Sequence, residues 1–234
     1  MVIKMKKRII AILLPLTLLL AGCGDKKNIE TNTSSSEIQQ AKSAEQSTAG
    51  SHKVLVAYFS RVGNTDFPKD VDTSASASVN VTKDGVQGNT EILARAVKEA
   101  TNGDLFLIQR EDKLPVDYNE TVNQGKEEHE KNIRPKLKTH VENMASYDVV
   151  ILVYPNWWYD APMDIYSFID EYDLSGKTIV PFCTSGGSGF SSSIKTIGKM
   201  EPKATVLEGL AMSEKPSDKL NEDVKNRLSK LGLL

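Results

Sequence analysis

Five stretches of strand length are apolar at consecutive positions: "KVLVAYFS" from Lys53, "DLFLIQ" from Asp104, "YDVVILVYP" from Tyr147, "KTIVPFCTS" from Lys177 and "ATVLEGLAM" from Ala204. A strand with one face in water alternates apolar and polar side chains. Unbroken apolar runs instead need cover on both faces, as in a parallel sheet flanked by helices. The segments between them supply such helices. "NTEILARAVKEATNG" sets Ile92, Leu93, Ala96, Val97 and Ala100 on one stripe and ends at Gly103, while "SDKLNEDVKNRLSKLG" does the same with Leu220, Val224, Leu228 and Leu231 between Ser217 and Gly232. The alternation predicts an α/β fold with a doubly wound sheet, one domain over residues 52–234.

Sheets of this kind bind ligands outside the carboxyl ends of their strands. Three of those ends are unlike ordinary turns. After the first run comes "SRVGNT", after the third "YPNWWYDAP", Tyr154 to Pro162, and after the fourth "CTSGGSGFSSS", Cys183 to Ser193. Small residues let the backbone approach an anion, the adjacent Trp157 and Trp158 offer flat apolar surface, and Gly186, Gly187 and Gly189 lack the Cβ that would keep backbone N–H groups from a ligand. A ligand with a phosphate at one end and a conjugated ring at the other would use all three. Adjacent side chains in extended backbone point opposite ways, so one tryptophan is expected in the core and the other at the ligand or the surface.

The start of the chain carries a different signal. Lys4, Lys6, Lys7 and Arg8 precede a short apolar run, Ile9 to Leu20, which reads as an export signal over residues 1–22. "LAGC" resembles a lipobox, so Cys23 is the expected lipidation site and the membrane's outer face the expected location. Residues 23–51 are polar and without aromatics, a tether that cannot bury enough surface to order itself. The chain has 29 basic and 31 acidic residues, and the signal holds four of the basic ones, so a mature form is mildly acidic and poorly suited to nucleic acid. Cys23 and Cys183 are the two cysteines; with the first lipidated, no intramolecular disulfide forms, and Cys183 in "IVPFC" reads as a buried structural thiol. His52, His129 and His140 show no ligand spacing, and Asp70, Asp72 and Asp84 are too loosely spaced for a cation loop, so no metal site is expected.

"VLVAYFSRVGNT", "YPNWWYDAPM", "YDLSGKTIVPFCTSGGSG" and the pair "PVDYNETV" with "RP" resemble the flavodoxin-like proteins, specifically the bacterial branch described as NAD(P)H-dependent flavoproteins. The resemblance runs from Lys53 to the C-terminus. It implies a three-layer sandwich with a five-stranded parallel sheet in the order 2-1-3-4-5 and a bound FMN. It also implies roles: Ser60 and a Gly-Asn-Thr segment around the phosphate, Pro155, Asn156, Trp157 and Trp158 along one side of the isoalloxazine, and Thr184, Ser185, Gly186 and Gly187 along the other. Tyr118 and Arg134 fall on family motif positions without an assignable role.

The chain departs from the plain family pattern at the phosphate loop, where Val62 replaces a threonine and the tripeptide Gly-Asn-Thr occurs twice, at 63–65 and 88–90. After the first copy, Pro68 and "VDTSASASVNVT" lack helical periodicity; after the second, Glu91 begins an amphipathic helix at once. A phosphate is attracted by the unpaired N–H groups and positive dipole end of a helix start, which selects Gly88, Asn89 and Thr90. Residues 61–87 then form an insertion after the first strand, a flap expected near the ligand's entrance. The expected function is electron transfer through FMN, as an oxidoreductase using NAD(P)H or as a carrier serving another redox protein; a flavin-free binding module is the non-enzymatic alternative.

Overall fold

The computed structural model describes residues 52–68, 78–82 and 85–234. The export signal, Cys23, the tether, Asp70, Asp72, Asp84 and the middle of the insertion lie outside the described residues. In chain order the elements are β1 (Val54–Tyr58), β2 (Val79–Thr82), β3 (Gly85–Gly88), α1 (Asn89–Thr101), β4 (Asp104–Leu107), α2 (Tyr118–Glu130), β5 (Val149–Pro155), α3 (Met163–Glu171), β6 (Thr178–Ser185), α4 (Ser193–Met200), β7 (Thr205–Val206), β8 (Leu210–Ser213) and α5 (Leu220–Lys230).

The main sheet runs β4-β1-β5-β6-β7, with β8 also on β6, and every pairing in it is parallel. Counted along the main sheet, this is the order 2-1-3-4-5. The fifth position is filled by two short pieces rather than one strand. Between them lies Gly209, where a Cβ would stand 1.8 Å from the Pro181 carbonyl oxygen of β6, so the backbones are in contact and the ladder breaks there. The insertion after β1 contributes an antiparallel hairpin, β2 with β3, that ends where α1 begins.

Unbroken apolar strands divide their side chains between two cores. Leu55, Ala57, Val150, Leu152 and Tyr154 face one side, packed with Ile165, Phe168 and Ile169 of α3; Val54, Val56, Tyr58, Ile151 and Val153 face the other, packed with Leu93 and Val97 of α1 and Val224 and Leu228 of α5. Every residue of β5 is buried, and each such large apolar side chain contributes about 1.5–3 kcal/mol by leaving water. The result is three layers, with the ends of β1, β5 and β6 at one rim.

Two helix boundaries differ from the sequence expectation. Asn102, not Gly103, takes the left-handed conformation that ends α1 (φ 51°). Gly103 is required for another reason: a Cβ there would stand 2.8 Å from the Val54 carbonyl oxygen. At the other helix, Ser217 belongs to a separate turn, accepting from Leu220 N–H at 3.0 Å, and α5 begins at Leu220.

Candidate functional site

At the carboxyl ends of β1, β5 and β6 lies a cavity of about 330 Å³. Its walls come from Arg61 beyond β1, Ser78 before the hairpin, Tyr118, Thr121 and Val122 of α2, Pro155–Trp158 from the last residue of β5 onward, Thr184–Gly186 at the end of β6, and Glu214 beyond β8. Among the expected site residues, Pro155, Asn156, Trp157, Trp158, Thr184, Ser185 and Gly186 meet around this space. Gly187 lines an adjoining hollow with Gly189, Ala211 and Met212. Ser60, Gly88, Asn89 and Thr90 are buried beside the cavity and do not line it.

The tryptophan wall is a tight turn. Trp157 and Asp160 exchange backbone hydrogen bonds at 2.9 and 3.0 Å, and the two residues between them, Trp158 and Tyr159, have φ of 52° and 60°. Two successive positive φ values are normally met by glycine or asparagine, so this turn stores strain of roughly 1–3 kcal/mol per residue. Fixed contacts hold it. The Asp160 carboxylate accepts from Ala161 N–H, Tyr166 Oη and Thr196 Oγ1, and His129 Nε2 lies 3.7 Å away. The Tyr159 carbonyl accepts from both the N–H and the hydroxyl of Ser192. The tryptophans part as expected, though by this turn rather than by extended alternation. Trp157 packs edge-on to Phe59, ring centroids 5.5 Å apart, where Gly125 of α2 leaves it room; Trp158 stays 40 % exposed and donates from Nε1 to the Val122 carbonyl.

The glycine wall is closed on itself. Ser185 Oγ accepts from Gly189 N–H at 3.0 Å and Gly187 N–H at 3.4 Å, and Gly187 and Gly189 both take positive φ. Asn156 ties the two walls together, its N–H donating to the Thr184 carbonyl and its amide to the Gly189 carbonyl at 2.9 Å. Below them Cys183 is fully buried, and burial pushes its thiol up to about 12, as an inert structural cysteine requires.

The two Gly-Asn-Thr copies occupy different environments. The Asn64 amide donates to the carbonyls of Ser60 (2.9 Å) and Ile108 (3.0 Å), and its Oδ1 accepts from Arg110 N–H (2.9 Å). Gly63, at φ 93°, turns the chain so that its carbonyl accepts from Gln109 Nε2 and Lys113 Nζ. This copy braces β1 to the strand end beside it. The second copy is the start of α1: Gly88 is its N-cap, Asn89 N–H donates to the Ser78 carbonyl at 2.9 Å, and the buried Asn89 Oδ1 has no partner among the described residues. Gly88 lets Ser60 approach closely: a Cβ would stand 1.9 Å from Ser60 Oγ and 3.2 Å from its Cβ, so Ser60 would have to turn aside.

Sequence reasoning missed Arg61. It is 1 % exposed, and Nη2 donates to the carbonyls of Pro115 and Val116 and to Thr121 Oγ1, whereas Nε and Nη1 have no partner among the described residues. Burial pushes its guanidinium below its ordinary value. The legible signal was a long cation directly after a strand, at a turn otherwise built from small residues. Tyr118 also lines the cavity, 39 % exposed. Arg134 does not; it clasps α2's end to α3 through Asp170 at 2.6 Å and the Tyr166 ring at 5.5 Å.

A family model described as flavodoxin matches residues 78–228. The chain belongs to the flavodoxin family. That match takes in the second Gly-Asn-Thr and not the first. Among solved structures, a candidate flavoprotein from Bacteroides eggerthii is 30 % identical with a TM-score of 0.58, the alignment covering 76 % of this chain and 97 % of that one. Another from Bacteroides uniformis is 27 % identical at the same TM-score, covering 76 % and 98 %. No curated protein matches the sequence.

Proposed function

We propose that this flavodoxin-family chain is an FMN-binding redox protein, held at the outer face of a membrane through a lipidated Cys23. The observation that carries the flavin reading is the cavity itself: an aromatic wall, a glycine-rich wall and, on a third side, a buried guanidinium with two nitrogens that have no partner among the described residues. The donor set fits the group. Trp157 and Trp158 offer ring faces or edges, Thr184–Gly186 offer backbone polar groups on the opposite wall, and the volume lies in the range of small-molecule sites. When bound, FMN supplies one- or two-electron transfer. The chain's own residues orient it and exclude water from one edge: Asn156 fixes the spacing of the walls, and the strained Trp158–Tyr159 turn holds an aromatic edge at the mouth.

As an oxidoreductase the protein would admit a nicotinamide of NAD(P)H to the open edge of the cavity and then an acceptor. The carrier reading has its own support, since Trp158 at 40 % and Tyr159 at 71 % exposure form an aromatic lip suited to a protein partner. The test uses the full chain in detergent, with bound flavin identified by mass and NAD(P)H consumption followed by absorbance. Yellow protein that consumes NAD(P)H supports the reductase, yellow protein inert to NAD(P)H supports the carrier, and colourless protein that takes up no added FMN overturns both. The anchor is checked by Cys23→Ser, which should move the protein from the membrane to the soluble fraction.

A further inference from the structure

Among the described residues the cavity lining has one cation, Arg61, and one carboxylate, Glu214, and they are not together. Glu214 sits beside Gly186, its Oε2 4.0 Å from where a Cβ on that glycine would stand, on the wall made by β6 and β8. Arg61 is on the wall made by β1 and α2, its Nη2 held by the Pro115 and Val116 carbonyls and Thr121 and its guanidinium carbon 5.1 Å from the centre of the Phe67 ring. Among the described residues no carboxylate lies within ion-pair distance of Arg61. A guanidinium withdrawn from water with part of its donor set unused is costly to fold, and the cost is recovered when an anion joins it. An anionic ligand entering this space is repelled at the Glu214 wall and drawn to the Arg61 wall.

The same corner touches the start of α1. Ser60, the neighbour of Arg61 in the chain, lies against Gly88, and Ser78, which lines the cavity, caps Asn89 through its carbonyl. Because that carbonyl occupies the Asn89 N–H, the helix start offers less to an anion than a free one would. We propose that Arg61 is the principal ligand of the flavin's phosphate, donating from Nε and Nη1, with the α1 start as its helper. The inference rests on the flavin reading and specifies which side chain holds the cofactor's charged end. An arginine fork matches a phosphate in geometry as well as charge. It also fixes polarity: the phosphate lies at the β1 side of the cavity and the ring at the Trp157, Trp158 and Gly186 side.

The experiment measures FMN and riboflavin affinity by fluorescence quenching for the full chain in detergent, in the wild type, Arg61→Gln and Arg61→Lys. Riboflavin has the ring and not the phosphate. The expected result is that Arg61→Gln weakens FMN by about 10- to 100-fold while riboflavin stays within about 2-fold, with Arg61→Lys in between. Inorganic phosphate should compete with FMN in the wild type. If FMN and riboflavin weaken together, or neither changes, or the wild type binds FMN no tighter than riboflavin, the Arg61 assignment is overturned while the flavin reading stands. If the wild type binds neither flavin, the flavin reading itself falls, and the assignment with it. Should Arg61→Gln not fold, Arg61→Lys and phosphate competition in the wild type decide by the same criteria.

Discussion

The residues Gly-Asn-Thr at 63–65 and at 88–90 are chemically identical and differently used, although each leaves one buried side-chain oxygen without a partner among the described residues, Thr65 Oγ1 in the first and Asn89 Oδ1 in the second. At the first, the asparagine spends its whole amide on the protein's own backbone, and Gly63 turns the chain under it. At the second, the asparagine opens a helix, its side-chain oxygen has no partner among the described residues, and the glycine's job is to let Ser60 approach. The difference comes from the residues on the C-terminal side of each copy. Asp66, Phe67 and Pro68 are not helical, and the first copy folds back as a brace. Glu91 to Ala100 bury a continuous stripe, so the second copy becomes a helix cap. A brace and a cap fail differently when broken, which makes the comparison testable.

The largest expected effect is on the brace. Asn64→Ala removes three buried hydrogen bonds and strands the Ser60 and Ile108 carbonyls and the Arg110 N–H, a loss of about 3–5 kcal/mol of stability. Urea unfolding measures it. A loss under about 1 kcal/mol would show that the first copy is not a structural brace.

The brace reaches further through Arg110. Its side chain pairs with Glu128 at 2.5 Å and approaches Asp164 at 3.7 Å, and burial pushes the Asp164 carboxyl up to about 7, with Arg110 opposing and Glu128 adding to the rise. The folded state therefore keeps this proton to higher pH than the unfolded chain does. Stability from this group is fullest below about pH 4 and is lost as pH rises through about 7. Asp164→Asn should flatten that slope and stabilise the protein at about pH 8 relative to the wild type, by up to about 4 kcal/mol, without altering flavin affinity. An unchanged slope in the variant would detach Asp164 from the acid-side stability.

The sheet was legible because burial on both faces writes an unbroken apolar run, and the helix start at the second copy was legible because an apolar stripe comes directly after it. Other features depend on tertiary approach that no local pattern records. Gly209 splits the last strand because Pro181 lies against it, and Gly103 is needed for Val54 rather than for a helix end. Nothing local marks Arg61 as buried; the Pro115 and Val116 carbonyls that receive its guanidinium are more than fifty residues away in the chain. Ser78 enters the cavity wall only because the insertion folds back as a hairpin onto α1. Arg134, whose motif position carried no role, is a clasp between helices.

On the cap, the effect moves from stability to binding. Asn89→Ala leaves its N–H on Ser78 in place and removes one unpartnered oxygen, so the fold should change by less than about 1 kcal/mol. Flavin affinity should fall by up to about 10-fold, the worth of one buried hydrogen bond accepted by that oxygen from a ligand hydroxyl, since an amide oxygen cannot donate to a phosphate. Isothermal titration with FMN checks it. If folded Asn64→Ala, studied well below its melting temperature, loses more FMN affinity than Asn89→Ala, the assignment of the two copies is reversed.

The smallest effect is the most discriminating, because it leaves the tripeptides untouched and changes one charge beside each. Glu91 stands in the first turn of α1, bound to Arg95 at 2.7 Å, with its side chain 14 % exposed. An anion there supports the helix dipole but opposes a phosphate at the same end, by about 0.5 kcal/mol once water and salt screen it. Asp66 stands just after the first copy with its side chain 82 % exposed. If the phosphate lies at the junction of Arg61 and α1, Glu91→Gln should tighten FMN about 2-fold at low salt, with the gain fading as salt is added, and Asp66→Asn should do nothing. Riboflavin should respond to neither. The reverse ranking, Asp66→Asn tightening FMN and Glu91→Gln inert, would move the phosphate to the first copy despite its satisfied asparagine.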